Sequence, residues 1–178
     1  MENIRITSGE FRGRTIKSPR SKLTHPMGSR EKMALFNMIS GYLSDATVLD
    51  AYSGSGALGI EALSRGAKKV VFVEKNSHAA SIIKTNINTL GLVECTSVIE
   101  SSVDSFSYDK KFDIIIADPP YDNFNSKQIE KIANFLKEDG VFVLSHPKDV
   151  STIEGLRLQK THTYAAAHIS VYINQSKR

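Results

Sequence analysis

The chain has 178 residues, 40% hydrophobic and 24% charged, which is about one domain's length with enough apolar residues for a core and excludes wholesale disorder. Its net charge of +4 is uneven: residues 1–38 hold eight Lys/Arg against three Asp/Glu, and the remainder fifteen against sixteen. The single cysteine, Cys95, excludes a disulfide framework and a cysteine-rich zinc site, and no apolar run nears the about 20 residues of a membrane span, so a metal-free protein of a reducing cytoplasm is expected.

Met1–Arg5 leads into no apolar signal-peptide core. Residues 4–8, Ile-Arg-Ile-Thr-Ser, alternate as a half-buried strand does. Arg14-Thr15-Ile16-Lys17 alternates again after Gly9, Glu10 and Gly13, which predicts a short hairpin. Pro19 to Gly28, with Pro26, is a polar loop. Ser29 is placed to cap a helix through about Leu43 that buries Met33, Leu35, Phe36 and Ile39. Residues 1–28 are thus a basic hairpin and loop extending a single domain over 1–178. A local basic excess favours polyanions such as nucleic acid, although a merely solvated basic surface has the same composition.

From Thr47 the pattern changes. Val48-Leu49, Val70–Val73, Val98-Ile99, Phe112–Ala117 and Val141–Leu144 are short apolar runs separated by helix-length stretches. Ala79, Ile83, Ile87 and Leu90 recur at helical spacing up to Gly91; Ile129, Ile132, Ala133 and Leu136 do so up to Gly140. Strands buried on both faces and alternating with helices predict a parallel α/β sheet. Leu156–Tyr164 and His168–Asn174, joined only by Ala165-Ala166-Ala167, predict a closing antiparallel hairpin.

The first core strand runs into Asp50-Ala51-Tyr52-Ser53-Gly54-Ser55-Gly56-Ala57-Leu58-Gly59, and acidic Glu74 ends the next strand. The glycines fit a nicotinamide or flavin dinucleotide, or S-adenosylmethionine; the plainer alternative is a tight strand–helix turn. A pyrophosphate needs glycines directly after the strand with no carboxylate nearby. Asp50 would repel it, and suits the cationic methionine end of S-adenosylmethionine. Glu74 can then accept both ribose hydroxyls.

Asp118-Pro119-Pro120-Tyr121 follows the Phe112–Ala117 run. Two prolines make a stiff loop at a strand's C-terminal end, where ligands of open α/β sheets bind. Asp118 and the Pro119 carbonyl can accept the two hydrogens of an exocyclic amine, and the Tyr121 ring face can stack on its base, which leaves the hydroxyl idle. His146, after a strand end, could line the same cleft; His25 could touch phosphate. Neither they nor the other histidines have metal-ligand spacing.

The order Asp-x-x-x-Gly-x-Gly, acidic strand end, Asp-Pro-Pro-Tyr resembles the amino-group-methylating S-adenosylmethionine enzymes. More narrowly, the chain resembles the bacterial 16S ribosomal RNA guanine-N2 methyltransferase family of the small-subunit methyltransferase D type. Ile4 to Arg14 is similar to that family's hairpin, Arg30 with Ala34-Leu35-Phe36-Asn37 to its first helix, and Gly54 to Ala67 matches most specifically. The chain departs at His25-Pro26-Met27 and Ser29-Arg30, where the family has Arg-Pro-Thr and an acidic-Arg pair, and at Ser102, where it has an Asp near the adenine.

The resemblance implies a Rossmann-like, seven-stranded class I methyltransferase sheet, mostly parallel with a C-terminal antiparallel hairpin, plus the small N-terminal β-hairpin. It implies S-adenosylmethionine held by Asp50, Tyr52, Gly54, Gly56, Glu74, Ser102 and Val103, and catalysis by Asp118, Pro119 and Tyr121. Arg12, Arg14, Lys17, Arg20, Lys22 and Arg30 would hold phosphates of small-subunit ribosomal RNA or an assembling 30S particle. A monomer is expected. The alternatives are an amino-methyltransferase of DNA adenine or protein glutamine, a nicotinamide oxidoreductase, and a non-catalytic RNA-binding or ribosome-assembly module.

Overall fold

A computed structural model of the protein describes residues 2–19, 27–147, 152–164 and 167–175. The N-terminal hairpin pairs β1 (Glu2–Arg5) with β2 (Thr15–Ser18), Ile4 opposite Ile16. Helix α1 (Ser29–Met38) and a short 3-10 turn at Ser40–Tyr42 follow. Then come β3 (Thr47–Ala51), α2 (Ala57–Ser64), β4 (Lys69–Glu74), α3 (Ser77–Leu90), β5 (Thr96–Glu100) and β6 (Phe112–Ala117). Helix α4 (Ser126–Ala133) leads into β7 (Leu136–His146), β8 (Leu156–Tyr164) and β9 (Ala167–Asn174).

Strands β3 to β9 form one seven-stranded sheet in the order β5-β4-β3-β6-β7-β9-β8. Pairings from β5 to β7 are parallel, and β9 runs antiparallel to both its neighbours. One face buries Val48, Val70, Ile114 and Val143 with Phe36, Ile60 and Ile83 of the first three helices. The other buries Leu49, Val71, Ile115, Phe142 and Tyr172 with Ile129 and Ile132 of α4. Helices on both faces explain why the strands read as near-continuous apolar runs. The chain leaves β3 toward β4 and returns to β6 on the other side, so a crevice opens at the ends of β3 and β6.

Four expectations need correcting. The first strand ends at Arg5 rather than Ser8, because the Thr7 and Ser8 amides donate to the Glu61 carboxylate instead of a strand partner. Helix α1 stops at Met38 and is capped by Gly28 without a side-chain bond, not by Ser29. Its buried face is Lys32, Leu35 and Phe36, with Ile39 next; Met33 lies off that face and is 46% exposed. Helix α4 ends at Ala133, not at Gly140, because Leu136 is drawn into the sheet opposite Phe112. His25, Pro26, Ala165 and Ala166 lie outside the described residues.

The hairpin is fastened to α2 by a buried polar knot. Glu61 is 0% exposed and accepts from the Thr7 amide (2.9 Å), the Thr7 hydroxyl (2.6 Å), the Ser8 amide (3.0 Å) and Arg65 Nε (2.9 Å). Lys32 Nζ lies 3.2 Å from the same carboxylate and donates to the Arg5 carbonyl at 2.9 Å. At Gly9, with φ 81°, a Cβ would fall 1.6 Å from the Ser64 carbonyl oxygen, so only glycine lets this turn rest on α2.

Candidate active site

After β3 the backbone turns through left-handed conformations at Tyr52 (φ 61°), Gly54 (56°) and Gly56 (78°). A side chain at such a φ costs on the order of 1–3 kcal/mol, so surrounding bonds must hold Tyr52 there. The Ser53 amide donates to the Val73 carbonyl (3.1 Å), the Ser53 hydroxyl to the Asp50 carbonyl (2.6 Å) and the Gly56 amide to the Ser53 carbonyl (2.7 Å). The Tyr52 hydroxyl donates to Gln128 Oε1 at 3.0 Å, and Gln128 Nε2 to Asp104 Oδ2 at 2.6 Å. Burial raises the Tyr52 pKa, helped by the Asp104 charge, so the phenol stays a donor. At Gly59 a Cβ would sit 2.3 Å from Phe72 Cε1, so α2 approaches β4 only over a glycine.

Three carboxylates converge on this loop. Asp50 is 1% exposed, and its Oδ2 accepts the Gly59 amide at 2.8 Å. Burial holds its carboxyl well above the usual range; the Gly59 bond opposes this, while repulsion from Asp118 and Glu74 adds to it. Glu74, at the end of β4, accepts the Gly54 amide through Oε2 and the Asn76 amide through Oε1, both at 2.8 Å. The strand beside it, β5, runs on to half-buried Ser102, whose hydroxyl meets Ser105 Oγ at 3.2 Å, and to Val103, 7% exposed. These two residues thus sit near the Glu74 edge of the crevice.

Asp118 and buried Pro119 follow β6 directly. The register Ala117 opposite Leu144 carries Asp118 to a place beside Ser145 of β7, 2% exposed. The Tyr121 hydroxyl lies 2.5 Å from Ser145 Oγ, so it is not idle. Burial pushes the Asp118 carboxyl up to about 6, opposed by a hydrogen bond from the Ser145 hydroxyl. Burial also raises the Tyr121 pKa, with the Ser145 bond opposing and Asp118 reinforcing.

His146 is turned to the opposite face of β7 and does not line the crevice. Its Nδ1 lies 2.7 Å from the Pro147 carbonyl and its Nε2 2.8 Å from Ser170 Oγ. A carbonyl only accepts, so Nδ1 carries the hydrogen and neutral Nε2 accepts from Ser170. Burial lowers its pKa.

Arg12, Arg14, Lys17 and Arg30 are exposed, and none belongs to an ion pair among the described residues. Arg14 also donates to the Thr89 carbonyl at 3.1 Å, near the C-terminus of α3, where a cation is favoured. Arg20 and Lys22 lie outside the described residues. Part of the N-terminal charge is not available to a polyanion, because Lys32 is buried against Glu61. The hairpin is also tied to the glycine loop through α3: Asn86 Nδ2 donates to the Lys17 carbonyl (2.9 Å) and to the Ser55 carbonyl (3.2 Å).

Sequence reasoning missed Ser145, Gln128, Asn86 and Glu61. Only Glu61 had a signal, a lone acid in the largely apolar stretch Ala57–Leu63, which implies a buried partner.

A mostly parallel sheet closed by an antiparallel hairpin, with its glycine loop and acidic crevice at the switch point, is the arrangement of the Rossmann-like methyltransferases. A solved structure from Escherichia coli superposes with a TM-score of 0.89 at 24% identity, covering 99% of this chain and 100% of that one. A candidate methylase from Haemophilus influenzae gives 0.79 at 30% identity, covering 98% and 100%. The ribosomal RNA small subunit methyltransferase D of Haemophilus influenzae is 34% identical over 184 residues, 96% of this chain and 94% of that protein. Its namesake in Escherichia coli is 34% identical over 139 residues, 77% and 68%. The family described as conserved hypothetical protein 95 matches residues 4–173. The chain belongs to that family, and with it to the small-subunit ribosomal RNA methyltransferases of type D.

Proposed function

We propose that the protein methylates the exocyclic N2 amine of a guanine in small-subunit ribosomal RNA, using S-adenosylmethionine. The observation that carries the cofactor is the cluster of carboxyls without a cation in the crevice, whose ionised forms a bound cation would favour. Asp50, Glu74 and Asp118 end neighbouring strands, and none belongs to an ion pair among the described residues. Such a crevice fits a cationic ligand and opposes a pyrophosphate, which argues against a nicotinamide oxidoreductase. The names of the relatives support ribosomal RNA as the substrate.

S-adenosylmethionine supplies an electrophilic methyl group when bound. Asp50, Tyr52, Gly54, Gly56, Glu74, Ser102 and Val103 would hold it, with Glu74 offering its remaining lone pairs to the ribose hydroxyls. Asp118 and the Pro119 carbonyl accept the two amine hydrogens and so orient the nitrogen lone pair. The Tyr121 ring stacks on the base. This is positioning and electrostatic catalysis that needs little acid–base strength. As the nitrogen bonds the methyl and the sulfur–methyl bond breaks, the one hydrogen the nitrogen must shed can pass to the Asp118 carboxylate that accepts it. A paired guanine hides its amine, so the target base is unpaired or flipped out. Arg12, Arg14, Lys17 and Arg30, with Arg20 and Lys22, hold phosphates of the RNA or the assembling particle.

Calorimetry tests the cofactor assignment. S-adenosylmethionine binds the wild type, and Glu74→Ala weakens it at least about tenfold, because a hydrogen bond to a charged group contributes about 1.5–3 kcal/mol. Tight binding of NADH in place of S-adenosylmethionine would contradict the reading.

A further inference from the structure

We infer that Ser145 is a positioning residue for both catalytic side chains: its single hydroxyl accepts from Tyr121, donates to Asp118, and so fixes carboxylate and ring relative to each other. The inference rests on the methyl-transfer reading above and adds to it a residue outside the Asp-Pro-Pro-Tyr motif.

The sheet itself brings the residues together. Strands β6 and β7 pair in parallel through Ile116–Val143 and Ala117–Leu144. One residue beyond the last pair, Asp118 follows β6 and Ser145 continues β7 on the same side, so the register brings them together across strands about 4.8 Å apart. Ser145 is 2% exposed, and the Tyr121 hydroxyl reaches back to it at 2.5 Å.

Counting protons gives the direction. An ionised carboxylate only accepts, and the serine and the phenol each have one hydrogen. One arrangement satisfies all three: Tyr121 donates to Ser145, and Ser145 donates to Asp118. Among the described residues the Ser145 hydroxyl bonds no backbone group, which is where most side-chain hydroxyls find partners. Its partners are the acceptor of the amine hydrogens and the stacking ring, whose relative placement decides whether the amine is aimed in line.

The charged and titratable groups around Asp118 do not replace this contact. Asp50 faces it from β3, with Glu74 beyond on β4, and Tyr121 shares its loop. On β7 the neighbouring His146 points to the opposite face. No cation pairs with Asp118 among the described residues.

The test is single-turnover methylation of small-subunit particles by the full chain at saturating S-adenosylmethionine, followed across pH for wild type, Ser145→Ala, Ser145→Thr and Tyr121→Phe. Ser145→Ala is expected to slow the maximal rate about tenfold, as loss of alignment does. It should also move the acidic limb upward by about one pH unit, because the hydrogen bond it removes favours the ionised carboxylate. Cofactor affinity by calorimetry should be unchanged. Ser145→Thr keeps the hydroxyl and should restore the limb. Tyr121→Phe should raise KM for the particle and leave the limb in place, since Ser145 still donates to Asp118. Where Ser145→Ala melts early, the near-isosteric Ser145→Cys, a weak donor, takes its place with the same expected shift. A folded Ala or Cys variant with wild-type rate and limb overturns the inference while the methyl-transfer reading stands. A wild-type protein that methylates no particle overturns that reading and the inference together.

Discussion

In the proposed chemistry Asp118 is most useful in the form that the fold tolerates least. Burial pushes its carboxyl up to about 6, while the ionised form is the better acceptor for the amine hydrogens. Methylation should therefore fall as pH drops through about 6. Stability moves the other way. A carboxyl raised in the folded state opposes folding when ionised, so this group's penalty fades as pH falls from about 6 toward the ordinary 3.8. Asp118→Asn should accordingly raise the melting temperature by about 2–4 °C, the size of about 1 kcal/mol in a chain of this length. The same variant should slow single-turnover methylation by on the order of 10²–10³. A variant that lost activity and stability together would point to a structural role. Asp50, Glu74 and Asp118 were legible in the sequence because each sits at a strand end beside a recognisable glycine or proline motif. Ser145 and Gln128 were not, because their partners Tyr121 and Tyr52 lie 24 and 76 positions away and meet them only once the sheet has closed.

Helix α2 links the glycine loop at its start to the N-terminal hairpin along its length. Glu61 is the link, and its carboxyl lies below its ordinary value: burial raises it, but bonds from Thr7, Lys32 and Arg65 outweigh that. The stability it contributes is present above the ordinary carboxylate value and is lost as pH falls through the lower, folded one. Glu61→Ala would leave Lys32 buried without its partner, and should cost about 3–5 kcal/mol in denaturant unfolding, as removal of one member of a buried pair does. A loss below about 1 kcal/mol, the range of a surface pair, would mean that the knot is solvated. The core strands and α3 were legible because both their apolar runs and the stop at Gly91 (φ 73°) are local signals. The ends of β1 and α4 were not, since a carboxylate on α2 and a place opposite Phe112 decide them.

Across the whole molecule, charge is divided by region: exposed Arg12, Arg14, Lys17 and Arg30 lie in the N-terminal part, and Asp50, Glu74 and Asp118 lie at the strand ends around the crevice. RNA binding should therefore weaken steeply with salt, through release of counterions from phosphates. Replacing Arg12 and Arg14 together by Ala should flatten the slope of log affinity against log salt by about 1–2 units, near the value for two lost phosphate contacts. Cofactor affinity should stay unchanged, and an unaltered slope would mean that these charges are only solvated surface. The alternation of apolar runs and helices was enough to foresee a parallel α/β sheet, and the short alanine link foresaw its closing hairpin. The tie from Asn86 to both hairpin and glycine loop depends on how α3 packs, which no local pattern records. The most direct test of the central claim is to incubate unmethylated small-subunit particles with the protein and S-adenosylmethionine, then identify the modified nucleoside by mass mapping. The account predicts a single N2-methylguanosine in the ribosomal RNA, absent with Asp118→Ala. A methyl group appearing instead on an adenine, on a protein side chain or nowhere would contradict it.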